Sequence, residues 1–333
     1  MILICLDIRA LFLISCNVSV VIVNYKLAKM VSGLVESLLE SPYAEYINIY
    51  VVDNNSPDDS VPYLQSRLGE ISRFRKRGFF YAVDEDLMHT DIVNFGNVIL
   101  LKSNDNRGFA AGNNKILRFI LDSEISGDYV WLLNPDAIPS EKSIGNLIRF
   151  CNKNEMSMVG SIICSDDGTI QFFGGGRIKR VIGVPERYGK GCNIKALERI
   201  PEKELEFISG ASIFLSVKTL RRIGLMPEEY FLYWEETDWC FRAARKNVSL
   251  KVCPNSIVYH AESSSVGLRT AFQYRIDMRN TLIFSRKYYP VYILSIILFK
   301  PIINGLSFIK NERRFSYIPI VGSYLGIIDF LKK

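Results

Sequence analysis

The chain of 333 residues reads as an α/β protein, a mixed and mostly parallel sheet followed by a helical tail. Three observations predict this class. Short β-branched runs alternate with segments whose apolar residues recur every three or four positions. Asn and Asp, which favour turns, stand at the ends of those runs. The composition, 48% hydrophobic with 23% charged and 12% aromatic residues, supplies a large core and excludes disordered, collagenous and small disulfide-stapled classes. At roughly 100–200 residues per domain, the length allows one large domain or two modest ones.

The first buried strand is predicted over residues 18–23. Met30, Val31, Leu34, Val35, Leu38 and Leu39 follow at helical spacing, stopped by Ser41-Pro42. A second strand over 47–52 ends at Asp53, and a third over 98–101 leads through a glycine-punctuated turn into a helix over 110–121. A fourth, over 129–133, ends at Asn134-Pro135-Asp136. Such alternation implies right-handed crossovers, helices on both faces, and a ligand outside the carboxyl ends of the strands. The segment 71–96, basic at Arg73, Arg75, Lys76 and Arg77 and acidic at Asp84, Glu85 and Asp86, reads as a solvated excursion. Farther on, Gly174-Gly175-Gly176 reads as a flexible loop and 177–204 as charged and irregular. An apolar run follows Ser209-Gly210-Ala211, a helix runs from the acids at 235–238 to about Arg245, and strands are expected over 250–253 and 257–260.

Forty-one basic and 35 acidic side chains give a net charge of +6. Residues 286–333 carry eight basic against two acidic residues, so the whole excess lies in the tail and the body is neutral. That distribution suits an anionic membrane surface as partner and excludes nucleic acid wrapped around the whole chain. Residues 291–309 are apolar apart from Lys300-Pro301 and small polar residues. A spanning helix needs about 20 apolar residues, so interfacial helices are expected, with aromatics at headgroup depth and Lys/Arg on anionic lipid. A helix covering the domain's own core is the alternative. An interfacial tail should also be separable near Phe284 from a soluble, donor-binding domain. Seven cysteines without a C-x-x-C pair fit reduced thiols in a cytoplasmic compartment. Residues 1–17 read as a lead-in segment: the stretch is apolar but broken by Asp7 and Arg9, without the basic leader of a signal peptide.

Two residue patterns suggest chemistry directly. Asp53, ending a strand, can accept hydrogen bonds from a nucleobase or ribose. The Gly108-Phe109-Ala110-Ala111-Gly112 turn opens a helix, where small residues let backbone N–H groups approach an anion. It is neither G-x-G-x-x-G nor a Walker loop. By contrast, Glu235-Glu236-Thr237-Asp238 at a helix start is explained either by the helix dipole or by a catalytic carboxylate.

Seven blocks in order, across about residues 18–262, resemble family 2 glycosyltransferases. They are Val20-Val21-Ile22-Val23-Asn24-Tyr25, Val51-Val52-Asp53-Asn54-Asn55-Ser56, Asn106 to Asn114, Leu133-Asn134-Pro135-Asp136-Ala137, Ser209-Gly210-Ala211, Trp234-Glu235-Glu236-Thr237-Asp238 and His260. The branch they look most like is the rhamnosyltransferase-like and galactofuranosyltransferase-like enzymes of bacterial surface polysaccharides. The resemblance implies a GT-A type, Rossmann-like nucleotide-binding domain over 18–262 and a helical region over 263–333. It implies a nucleoside-diphosphate sugar donor, a lipid-linked or glycan acceptor, and inverting transfer of a hexosyl or deoxyhexosyl group. Asn24, Tyr25, Asp53, Asn55, Arg107, Gly108, Phe109, Gly112, Asn113 and Asn134 would bind the donor. Asp136, last acid of a motif whose first acid is here Asn134, and His260, 24 residues after Glu236, would hold Mg2+ or Mn2+. Glu236 would be the general base, with Ser209, Gly210, Ala211, Trp234, Glu235 and Asp238 shaping the acceptor side. Attachment to the cytoplasmic membrane face would follow. The alternatives are a non-catalytic nucleotide-sugar or glycan-binding module on the same fold, and a nicotinamide-dependent oxidoreductase, which the missing G-x-G-x-x-G disfavours.

Overall fold

The computed structural model describes residues 16–84, 95–123, 127–180, 183–199, 204–260, 270–312 and 316–332. The lead-in expected over 1–17 lies almost wholly outside the described residues, as does most of 84–94. The strands are β1 (Val18–Asn24), β2 (Ile47–Asp53), β3 (Gly78–Val83), β4 (Asn97–Lys102), β5 (Tyr129–Leu133), β6 (Ala137–Pro139), β7 (Ser157–Cys164), β8 (Ile170–Phe173), β9 (Gly175–Lys179), β10 (Val184–Arg187), β11 (Phe207–Ile208), β12 (Ser212–Ser216) and β13 (Ser249–His260). The helices are α1 (Ala28–Glu40), α2 (Ser60–Phe74), α3 (Phe109–Asp122), α4 (Ser143–Lys153), α5 (Val217–Ile223), α6 (Glu235–Arg245), α7 (Ala271–Tyr288), α8 (Val291–Ile297), α9 (Lys300–Glu312) and α10 (Ile318–Leu331).

All these strands join one sheet whose main path runs β10-β9-β8-β7-β12-β5-β1-β2-β4-β3. From β5 to β3 the pairing is parallel, and β12 turns antiparallel against both β5 and β7. Every residue of β1 is buried, as a strand covered on both faces requires. Its alternate residues divide between two cores. Val21 and Val23 pack with Ile116 and Leu117 of α3, while Val20 and Ile22 pack with Leu34, Val35 and Leu38 of α1. Aligned registers bring the polar strand ends together. Asn24 pairs with Asp53, Ile22 with Leu133, and Ser212 with Leu133, so the residues just beyond share one rim. On the far side β13 pairs with β6 at His260 and Ala137, which sets Asp136 beside the imidazole.

Three expectations are corrected. The excursion at 71–96 includes the last turn of α2 and β3, an edge strand parallel to β4; its Phe79, Phe80 and Tyr81 suit a pleated, half-covered surface. The glycine loop is an ordered strand start instead. A Cβ at Gly175 would lie 1.9 Å from the Phe207 carbonyl oxygen and one at Gly176 1.9 Å from that of Glu186, so only glycine admits those neighbours. The two strands expected at 250–260 are one, with a register shift between Cys253 and Ile257. None of the six described cysteines is in a disulfide.

The tail forms helices, but it is not a loose appendage. Lys300 is 3% exposed, donates to Thr281 Oγ1 (2.6 Å) and the Gly183 carbonyl, and pairs with Asp277 (3.2 Å). It therefore faces the domain and not lipid. α10 presents small residues inward, with Pro319, Gly322, Ser323 and Gly326 buried. A Cβ at Gly326 would stand 2.3 Å from the Arg275 carbonyl oxygen, the close helix contact that small residues permit. Its residues Ile318, Val321, Tyr324, Leu325, Ile328 and Leu331, with Tyr317 just before it, are exposed. No described helix is long and apolar enough to cross a membrane.

Candidate active site

A cavity of about 590 Å3 opens along the carboxyl-end rim. Tyr25, Asn54, Gly108 and Phe109 form one wall, and Asn134, Asp136 and His260 the floor. Ser209, Gly210, Ala211, Glu235 and Glu236 face them, while Phe231, Leu232, Tyr233 and Phe272 line the rest. A smaller cavity of about 160 Å3 adjoins it, sharing Phe172, Arg187, Ser209, Tyr233 and Glu236 and adding Trp234, Phe207 and Asp277. Glu236 therefore looks into both.

Several predicted donor residues support that wall from behind. Asp53 is fully buried, accepting from Asn24 Nδ2 (2.6 Å) and the Ser56 N–H (2.9 Å), so both its oxygens are engaged. Asn24 is equally buried and also caps the turn by accepting from the Leu27 N–H. Its neighbour along β2's end, Asn54, lines the cavity and donates to Asn106 Oδ1 and the Gly108 carbonyl, fixing the glycine turn. Asn55 is exposed in a left-handed conformation. Arg107 points away to Glu228 (3.4 Å). Gly112 packs on Val23, and Asn113 donates back to the Phe109 carbonyl within α3. At Gly108, φ is +95° and a Cβ would meet the Phe231 carbonyl oxygen at 2.0 Å, so the turn needs glycine twice over.

On the floor, His260 Nε2 lies 3.1 Å from Asp136 Oδ1 without hydrogen-bond alignment, leaving that nitrogen buried and unpartnered. Gln171 explains why. Its Nε2 donates to the His260 carbonyl (2.9 Å) and to Ser165 Oγ, so its Oε1 is the atom 3.0 Å from His260 Nδ1. An amide oxygen can only accept, so Nδ1 carries a proton, and in the neutral ring it is Nε2 that presents a lone pair on the Asp136 side. A ring nitrogen and a carboxylate oxygen 3.1 Å apart and not hydrogen-bonded to each other fit a cation beside them that both could ligate. No group of three or more His, Cys, Asp or Glu that could hold a metal occurs among the described residues, so the protein would supply two ligands.

Glu235 and Glu236 begin α6, where the helix dipole favours carboxylates. Burial opposes it. It pushes the Glu235 carboxyl well above its ordinary range, with the charge of Glu236 adding to the effect, and raises Glu236 as well. One oxygen of each has no hydrogen-bond partner. Asp238 is different. It lines neither cavity and is fully buried among Tyr230 (2.6 Å), Lys287 (2.7 Å), Arg242 (2.8 Å) and Tyr288 (2.9 Å). Burial pushes it up, but bonds from Lys287 and Tyr230 and the Arg242 charge hold it below the usual carboxylate range. Trp234, 5% exposed, donates to Asp277 and packs on Phe284.

Sequence reasoning missed Gln171, Phe172, Arg187, Phe231, Tyr233 and Phe272. Arg187, with its guanidinium 4.6 Å from the Phe172 ring centre, is the Lys or Arg that lines both cavities. Phe231, Tyr233 and Trp234 all have φ between +67° and +79°. Each left-handed residue costs on the order of 1–3 kcal/mol, and no local pattern announces where that strain is placed.

A mixed, mostly parallel α/β sheet whose rim cavity holds an Asp–His pair and two buried glutamates is the arrangement of a nucleotide-binding α/β fold. The profile of Glycosyl transferase family 2 matches residues 19–222, more than half of the chain, and the chain belongs to that family. Over 278 residues it is 25% identical to the low-salt glycan biosynthesis hexosyltransferase Agl10 of Haloferax volcanii, covering 81% of this chain and 75% of that one. Among solved structures, mannosyltransferase PcManGT of Pyrobaculum calidifontis, in complex with GDP-Man and Mn2+, superposes with a TM-score of 0.53 at 13% identity, over 95% of this chain and 75% of that one. GalNAc-T7 with UDP, GalNAc and Mn2+ gives 0.58 at 13% identity, covering 83% of this chain but only 49% of that longer chain. These likenesses bear out the GT-A type fold.

Proposed function

We propose that the chain is an inverting, metal-assisted glycosyltransferase that moves a hexosyl or deoxyhexosyl group from a nucleoside-diphosphate sugar to a hydroxyl of a lipid-linked or glycan acceptor. The observation that carries this reading is the buried Glu236 carboxyl, one oxygen of which has no hydrogen-bond partner, lining the same cavity as the Asp136–His260 pair. Asp136 and His260 would hold Mg2+ or Mn2+. When bound there, such a cation would supply Lewis-acid stabilisation of a leaving diphosphate. Tyr25, Asn54, the Gly108-Phe109 turn and Asn134 would orient the nucleotide, with Asp53 and Asn24 fixing the wall. Glu236 takes the proton as the acceptor oxygen bonds to the anomeric carbon and the diphosphate leaves from the opposite face. Its raised proton affinity makes it a stronger base than an exposed carboxylate. The rhamnosyltransferase-like or galactofuranosyltransferase-like branch remains part of the proposal.

The reading is tested by incubation with UDP-, GDP- and dTDP-sugars, with Mn2+, Mg2+ or EDTA, and by NMR of the product anomer. Metal-dependent transfer with inverted configuration is expected; retained configuration contradicts the single displacement. The exposed aliphatic face of α10 and the basic excess of the tail support docking on the cytoplasmic, anionic membrane face. The chain should co-sediment with phosphatidylglycerol vesicles and be partly released by high salt. Failure to bind such vesicles would leave α10 as an interface for another protein surface.

A further inference from the structure

The loop from Tyr230 to Trp234 does two jobs at once. At one end the Phe231 carbonyl accepts from the Phe109 N–H (2.8 Å) and sits on Gly108. At the other end Trp234 leads directly into Glu235 and Glu236. Left-handed conformations at three non-glycine residues do not hold themselves. The holder is on α7, outside the profile-matched residues. Asn280 is fully buried, and its Nδ2 donates to the carbonyls of Tyr230 (2.8 Å), Leu232 (2.8 Å) and Tyr233 (2.9 Å). Its Oδ1 accepts from Arg279 Nη1 (2.6 Å) and Arg279 Nη2 donates to the Glu229 carbonyl (3.1 Å). Three convergent carbonyls identify the amide nitrogen without ambiguity, and two hydrogens must serve all three.

We propose that Asn280 is a positioning residue for the transfer reaction: its amide holds the 230–234 loop in the shape that sets Glu236 and the Gly108 turn opposite each other. For turnover this rests on Glu236 being the base; for the loop it rests on hydrogen bonds alone. Asn280→Asp keeps the size and the acceptor to Arg279 but turns a donor toward three carbonyls into another acceptor. Asn280→Ser, keeping one donor, serves if the first variant does not fold. Leu282→Ala, which removes a buried contact of the same helix away from the loop, is the stability-matched control.

Two readouts are taken in the full chain. Amide hydrogen exchange over residues 230–236, without ligand, should quicken in the Asn280 variants and not in Leu282→Ala. Turnover on the best nucleotide sugar of the panel should fall at least about tenfold in kcat, given that misplacement by an ångström costs about a hundredfold, while Leu282→Ala, despite an equal or greater loss of Tm, stays near wild type. Wild-type exchange in both Asn280 variants, or an equal loss of kcat in Leu282→Ala, overturns the proposal. If Glu236→Gln proves fully active, the base assignment fails, and the exchange result still decides whether Asn280 holds the loop.

Discussion

The parallel strands from β5 to β3 and the antiparallel strands from β12 to β10 meet at one cavity but contribute to it differently. In the parallel part each strand runs out at the rim, so the polar residues after it converge by register alone, as Asn24, Asp53 and Asn134 do. On the side of the antiparallel strands the site residues come from a meander, from β13 and from the loop and helix α6 between them, and they are oriented by partners distant in sequence. Gln171 acts on His260, 89 residues away, and Asn280 on Tyr230, 50 residues away. In the proposed reaction the first part would serve as the nucleotide platform, and the second would set the aim of the groups that react.

That contrast makes the two parts separable by experiment. Glu236→Gln should keep the nucleotide platform intact yet lower turnover by about 10²–10⁴-fold, the range for loss of general-base assistance. Near-normal turnover would shift the role to Glu235, the other cavity carboxyl. The acid limb of the wild-type kcat/KM profile should also lie above the ordinary carboxylate range, because burial raises the Glu236 carboxyl.

Asp238→Asn should cost stability instead. The carboxylate is fully buried, but Lys287 and Arg242 are about one-third exposed, so the loss belongs near the low end for a broken buried pair, about 3 kcal/mol in urea unfolding. The same four-partner knot bears on the tail. A cut after Phe284 removes Lys287, Tyr288 and Lys300 together, so it should yield unstable protein, not the soluble domain that the sequence suggests. A folded, nucleotide-binding fragment would show that the knot matters less than its burial implies.

Glu235→Gln should have the smallest effect, with the opposite sign. A carboxyl raised in the fold binds a proton that the unfolded chain gives up, so wild-type stability falls as pH climbs above the ordinary value of 4.5. The amide removes that penalty. Tm should rise by a few degrees at pH 8 and hardly change near pH 4.5; a gain of equal size at both would mean packing, not charge, is responsible.

What was legible in the sequence follows the same division. The runs at 18–23, 47–52, 98–101 and 129–133 declare themselves because a strand buried on both faces must be continuously apolar, and its end must turn. Asp136, Glu236 and His260 stood in blocks whose order resembled a family. β3 and the β8–β10 meander were not legible: their strands are short or half-exposed, and their glycines look like loop residues until Phe207 and Glu186 are seen against them. Asp238, expected on the acceptor side, and Lys300, in a tail expected to meet lipid, are in fact buried in ion pairs with residues of another helix. The internal hydrogen bonds of Asp53 and Asn113 are not legible either, because their partners are set by the fold.

The central claim is that one cavity joins a two-ligand metal floor to a separate base. Calorimetric affinity for UDP and GDP, with Mn2+ and with EDTA, tests it most directly in wild type, Asp136→Ala, His260→Ala and Glu236→Gln. Wild type and Glu236→Gln should bind the better nucleotide alike, each losing at least about tenfold on EDTA, equivalent to about 1.4 kcal/mol. Asp136→Ala and His260→Ala should already be weak with Mn2+ and insensitive to EDTA. Nucleotide affinity that ignores EDTA in the wild type, or that Glu236→Gln abolishes while Asp136→Ala and His260→Ala retain it, would contradict the claim.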